Sequence, residues 1–105
     1  MFDIIGVMQS SEAIAKLRVR EADLRARGVR SLAIFGSTSR EEAGSTSDVD
    51  LLIDLDESRV VTLLDLSALK FLASEALGEP VDIAIRAQLR PSYRKNIEAD
   101  AIRVF

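Results

Sequence analysis

The chain has 105 residues, with 14 basic and 17 acidic side chains for a net charge of −3, a length that bounds it at one domain, residues 1–105. It contains no Cys and no His, which excludes disulfides, thiolate nucleophiles, imidazole triads and metal sites built on sulfur or imidazole; catalysis would rest on carboxylates, hydroxyls, Lys/Arg, backbone dipoles or a hard ion held by oxygen. The acidic balance lacks the basic footprint of a DNA-binding protein, and no apolar run reaches the roughly 18–20 residues needed to span a bilayer.

The N-terminus, MFDIIGVMQSSE, has no positive region ahead of its short apolar stretch, so it does not read as a signal peptide and the expected location is cytoplasmic. Ser10 or Ser11 followed by Glu12 opens a helix expected to run to about residue 27, with Ile14, Leu17 and Leu24 on one stripe and Gly28 at its end. Residues 30–35 read as a short strand stopped by Gly36-Ser37, and residues 38–42 as a single helical turn. Residues 49–55 form the clearest strand: Val49, Leu51, Ile53 and Leu55 point one way, and Asp48, Asp50, Leu52 and Asp54 the other. A leucine-rich helix is expected over 60–77, closed by Gly78, with Pro80 barring its continuation. Residues 81–85, VDIAI, are a third strand. Pro91 starts a last helix to about residue 101, after which Val104 and Phe105 pair or pack.

The connection lengths set the topology. The short link between the first two strands suits an antiparallel pair, and the helix-containing link between the second and third suits a parallel crossover. The expected fold class is α+β, a small mixed sheet with helices packed against it.

The chemistry concentrates in FGSTSREEAGSTSDVDLLID, residues 35–54. Gly36-Ser37 follows a strand and precedes a helical turn, where backbone N–H groups attract an anion and the Ser37 hydroxyl adds a donor. Asp48 and Asp50 leave one face of a strand with their Cα atoms roughly 6.5–7 Å apart, a repulsive pair unless a cation lies between them. With no His or Cys, a hard ion such as Mg2+ is favoured. Asp82 interrupts an otherwise apolar strand, which is costly unless its carboxylate meets a metal or a donor. If the two strands are neighbours, three carboxylates on them suit a pair of metals about 3.5–4 Å apart, as used in nucleotidyl transfer.

At these residues the chain resembles the polymerase-β-like nucleotidyltransferases, whose GS-x10-DxD motif is matched by Gly36-Ser37 and Asp48-Val49-Asp50. It is similar above all to the minimal nucleotidyltransferases that act as antitoxins, through FGS, SDVDLLIDLD, the Leu-rich helix, GEPVDIAI and LRPS, over nearly the whole chain. The resemblance implies the nucleotidyltransferase fold, Mg2+ held by Asp48, Asp50 and Asp82 as catalytic acids, and ATP held by Gly36 and Ser37. Arg40 matches the arginine of the GSxAR pattern, although Ser39 stands where Ala is usual and Glu41 where Gly is usual. It also implies a cognate HEPN-domain RNase toxin as hetero-oligomeric partner, silenced by AMP transferred from ATP to its tyrosine.

Two other functional readings stand beside this one: neutralisation of the toxin by binding alone, and nucleotidylation of a small molecule, for which the chain is short of walls for a pocket. Among remaining polar residues, Asp54 reads as a solvated strand-end acid. Arg86, Arg90 and Arg94 read as a solvated basic edge, and Tyr93 as a packing or partner contact. The Leu-rich stripe reads first as core, with part of it left to cover a partner.

Overall fold

The computed structural model describes residues 9–36 and 48–105. The first described elements are helices α1 (Ser10–Arg18) and α2 (Glu21–Ala26), where the sequence predicts one. The break follows from a tightened turn: the Arg20 N–H donates to Leu17 O at 3.0 Å. Leu17 and Leu24 are thereby both buried, while Val19 at the break is exposed. Arg18 Nε closes the corner on Val104 O at 2.8 Å.

Strand β1 (Val29–Phe35) pairs antiparallel with β2 (Val49–Leu55). Helix α3 (Leu63–Leu77) then crosses over to β3 (Val81–Ile85), which runs parallel to β2. A turn of 3-10 helix at Arg86–Gln88 leads to helix α4 (Pro91–Asp100), with Pro91 in its first turn, and to β4 (Ile102–Arg103), antiparallel to β1. The strand order is β3-β2-β1-β4, the mixed sheet expected from the connection lengths. The predicted helical turn at 38–42 lies outside the described residues.

Helix α3 starts at Leu63, three residues later than the leucine pattern suggests. The reason is a capping box: Thr62 Oγ1 accepts from the Asp65 N–H at 3.2 Å, and Asp65 Oδ2 accepts from the Thr62 N–H at 3.0 Å. The helix ends at Gly78, whose φ of 72° is the left-handed conformation that favours glycine.

One face of the sheet carries the core. Ile34, Val49, Leu51 and Ile53 pack with Leu17, Leu24, Leu69, Ala73 and Leu77 from the helices. The opposite face follows the other parity of the strands, bringing Ser31, Ala33 and Phe35 opposite Asp54, Leu52 and Asp50. Strand alternation thus places the acids away from the helix-packed face.

Candidate active site

The register of β2 and β3 sets Asp50 directly beside Asp82. In-register residues of parallel strands project to the same face, with the strands about 4.8 Å apart. Asp48 is the residue before β2 and, like Asp82, is exposed; Asp50 is partly buried. The chain's Val49 N–H donates to Pro80 O at 2.9 Å, which locks the two strands together at the level of the acids.

Gly36 stands at the end of β1, facing this group. Its φ is 74°, and a Cβ built there would collide with Asp50 Oδ2 and lie 3.3 Å from Asp50 Cγ. The absent side chain lets the Asp50 carboxylate lie against the backbone at the start of the glycine turn. Ser37 and Arg40, the other nucleotide-binding candidates, lie outside the described residues.

The three acids offer only carboxylate oxygens, the donor chemistry of a hard cation such as Mg2+. Among the described residues, no three acid side chains converge closely enough to form a finished metal cage. Asp48, Asp50 and Asp82 share one end of the sheet, and like charges there repel without a counter-charge between them.

Asp54 and Arg86 depart from the sequence reading. Asp54 is not a solvated strand-end acid: it accepts from Ser31 Oγ at 2.5 Å and from Arg86 Nε at 3.0 and 3.1 Å. Burial pushes its carboxyl up, but the hydrogen bonds from Ser31 and Arg86 and the charges of Arg86 and Arg30 outweigh this and hold it below the ordinary carboxylate range. Arg86 also pairs with Glu98 of α4, so it ties the sheet to that helix and does not form a solvated edge. Burial opposes the charge of Arg86, and its bonds to Glu98 and Asp54 more than compensate, leaving its pKa raised. The strand register, not residue order, carries the signal for this network: continuing the Asp50–Asp82 register by four residues puts Arg86 beside Asp54.

A cavity of about 480 Å3 opens over this network, lined by Ser31, Asp54, Arg86, Glu98, Arg30 and Arg103 among others. Its two acids are already paired to Arg86, which makes it poorly suited to gather a metal. The candidate acids border two other cavities, one holding Asp82 and the other Asp48, and both are lined by Ser67 and Lys70. Tyr93 is exposed on α4.

The sequence profile of the nucleotidyltransferase domain family matches residues 14–104. A protein adenylyltransferase, MntA, from Thermococcus cleftensis is 34% identical over 101 residues, spanning 95% of this chain and all of that protein. A solved structure described as a "putative minimal nucleotidyltransferase" superposes with a TM-score of 0.67 at 35% identity, over 85% of this chain and 93% of its own. A toxin–antitoxin crystal structure with AMP-PNP also gives a TM-score of 0.67, over 86% of this chain and 72% of its own; its 15% identity speaks for the fold alone.

Proposed function

The chain belongs to the nucleotidyltransferase-domain family, among its minimal members, and from that premise we propose that it is a protein adenylyltransferase antitoxin. It transfers AMP from ATP to a tyrosine hydroxyl of a HEPN-domain RNase toxin, releases pyrophosphate and silences the RNase. The observation that carries the reading is the Asp50–Asp82 register two residues from Asp48, in a chain matched over 95% of its length by a protein adenylyltransferase.

In the reaction, the acceptor oxygen bonds to the α-phosphorus as the bond to the pyrophosphate oxygen breaks. The hydroxyl proton passes to a base, for which Asp82, at the exposed end of β3, is the candidate. Asp48, Asp50 and Asp82 would hold Mg2+, which supplies charge neutralisation for the triphosphate. Gly36 lets the Asp50 carboxylate lie against the backbone at the start of the turn, and the Ser37 hydroxyl and following amides would donate to the phosphates. Arg40 adds a cation to the same group. In the antitoxin reading the acceptor hydroxyl belongs to another protein, the toxin.

The test is to incubate the chain with ATP labelled at the α-phosphate, Mg2+ and the protein encoded by the neighbouring gene. Label should move to that protein, and Asp48→Asn with Asp50→Asn should abolish the transfer. No transfer by the unaltered chain, or undiminished transfer by the double variant, overturns the assignment. The same variant separates catalysis from occlusion: if it still protects cells fully from the toxin, binding alone neutralises it.

A further inference from the structure

Among the described residues, the outer edge of the sheet beside the candidate acids is open. Strand β3 ends the strand order, and no described strand pairs with its far side. The Val49 N–H to Pro80 O bond and the parallel register fix which groups face inward. Asp82 and Ala84 turn their N–H and C=O groups toward β2, and Val81 and Ile83 turn theirs outward. Such an edge is a template for another strand, and sheets usually guard it with Lys, Pro or a bulge. Val-Asp-Ile-Ala-Ile has neither Lys nor Pro, and Asp82 is its one charged residue.

The flank of this edge is apolar. Helix α3 runs antiparallel to β3, and the two cavities lie between them. One, of about 310 Å3, is lined by Leu63, Leu66, Asp82, Ile83 and Ile85. The other, of about 430 Å3, is lined by Phe71, Pro80, Val81 and Asp48. They share Ser67 and Lys70 and so form one groove along β3, about 13 Å from Val81 to Ile85 at the usual strand rise. Leu63 is 81% exposed and Phe71 65%, a large apolar surface on a helix whose Leu69, Ala73 and Leu77 pack in the core. Lys70 stands midway along the groove, with no ion pair among the described residues.

We infer that this groove is the docking site of the protein acceptor, which adds an extended segment to the outer edge of β3. The inference rests on the adenylyl-transfer reading and names the surface that serves it. Three features select this occupant. The outward N–H and C=O groups of Val81 and Ile83 supply the main-chain bonds of strand addition. Alternate apolar side chains of the segment enter the Leu63 and Phe71 ends, and an acidic side chain meets Lys70. Finally, Asp82 and Asp48 border the groove, and the residues of the segment between those alternate side chains face the side of the sheet that carries Asp50 and Asp82, so a hydroxyl there meets the candidate acids.

The test uses the full chain with the neighbouring gene's product as acceptor, reading acceptor KM, ATP KM and amide hydrogen exchange. The variants are Lys70→Glu and the pair Leu63→Glu with Phe71→Glu, all at exposed positions, with thermal melting to confirm folding. Each should raise the acceptor KM by about tenfold or more, equivalent to roughly 1.4 kcal/mol, and leave the ATP KM unchanged. The Val81 and Ile83 amides should exchange about tenfold more slowly in the complex. Unchanged acceptor KM, a shift in ATP KM instead, or protection that spares β3 overturns the groove assignment while transfer itself persists. Protection that grows with concentration in the chain alone identifies a second copy as the occupant and overturns it as well. If the unaltered chain transfers nothing, the adenylyl-transfer reading fails and the docking assignment falls with it.

Discussion

The Asp50 carboxylate lies over the Cα of Gly36, so close that position 36 has room for a hydrogen and nothing larger. Two demands meet at this residue: a φ of 74° and the space taken by Oδ2. Gly36→Ala violates both. The left-handed conformation alone costs about 1–2 kcal/mol for a residue with a Cβ, and the collision must displace either the turn or the acid. Denaturant unfolding should show a loss of that size. Adenylyl transfer should fall by about a hundredfold, because an acid moved by even 1 Å is misplaced for chemistry. Wild-type transfer by Gly36→Ala would show that the position of Asp50 against the turn is unimportant.

Asp82 separates function from stability more cleanly. It is exposed on an edge strand and stands beside Asp50 in register. Replacing it with Asn removes a like charge from the pair and leaves the core untouched, so stability should change by no more than about 0.5 kcal/mol. Transfer should drop by about a hundredfold or more if the residue is the proton acceptor. The Mg2+ concentration needed for half-maximal rate should rise, and EDTA should abolish transfer in the unaltered chain. A Mg2+ titration of both proteins checks this; identical curves would remove Asp82 from the metal group.

Much of this arrangement is legible from residue order. Alternation over residues 49–55 assigns Asp50 and Leu51 to opposite faces, and the connection lengths give the antiparallel and parallel pairings. The register that sets Asp50 beside Asp82 is not legible in the same way, because alternation fixes the face of a side chain and not its neighbour on the next strand. The same gap explains Asp54 and Arg86, each of which reads as solvated alone and becomes half-buried when paired. The break at Val19 was hidden because the helical stripe continues through it, from Leu17 to Leu24. The later start of α3 was visible in Thr62-x-x-Asp65, an acid-for-Glu version of the capping box.

The Asp54 network gives the fold an acid-sensitive joint. Asp54 has its pKa lowered from 3.8 in the folded chain. A carboxyl depressed on folding adds stability that is fully present above its unfolded value and is lost as pH falls through the folded value. Stability should therefore decline below about pH 4, and Asp54→Asn should flatten this part of the profile. Arg86→Ala, which leaves Asp54 half-buried without its guanidinium, should cost about 1–2 kcal/mol at neutral pH. Chemical denaturation at a series of pH values measures both. A profile for Asp54→Asn parallel to that of the parent would show that other carboxylates govern acid unfolding.

Helix α3 carries two kinds of leucine, and substitution should tell them apart. Leu69 is 2% exposed and packs in the cluster with Leu51, Ile53 and Val81, whereas Leu63 is 81% exposed at the mouth of the β3 groove. Leu69→Ala removes buried methyl groups and leaves a void that a small core refills only partly, so unfolding should be easier by about 2–5 kcal/mol. In a domain of this size, whose whole stability is of order 5–15 kcal/mol, that is a large fraction. Leu63→Ala removes surface already in water and should change stability by no more than about 0.5 kcal/mol. Thermal and urea melts of the two variants give the comparison. A Leu63→Ala penalty as large as that of Leu69→Ala would mean that Leu63 is buried in solution, and that α3 does not present an open apolar flank.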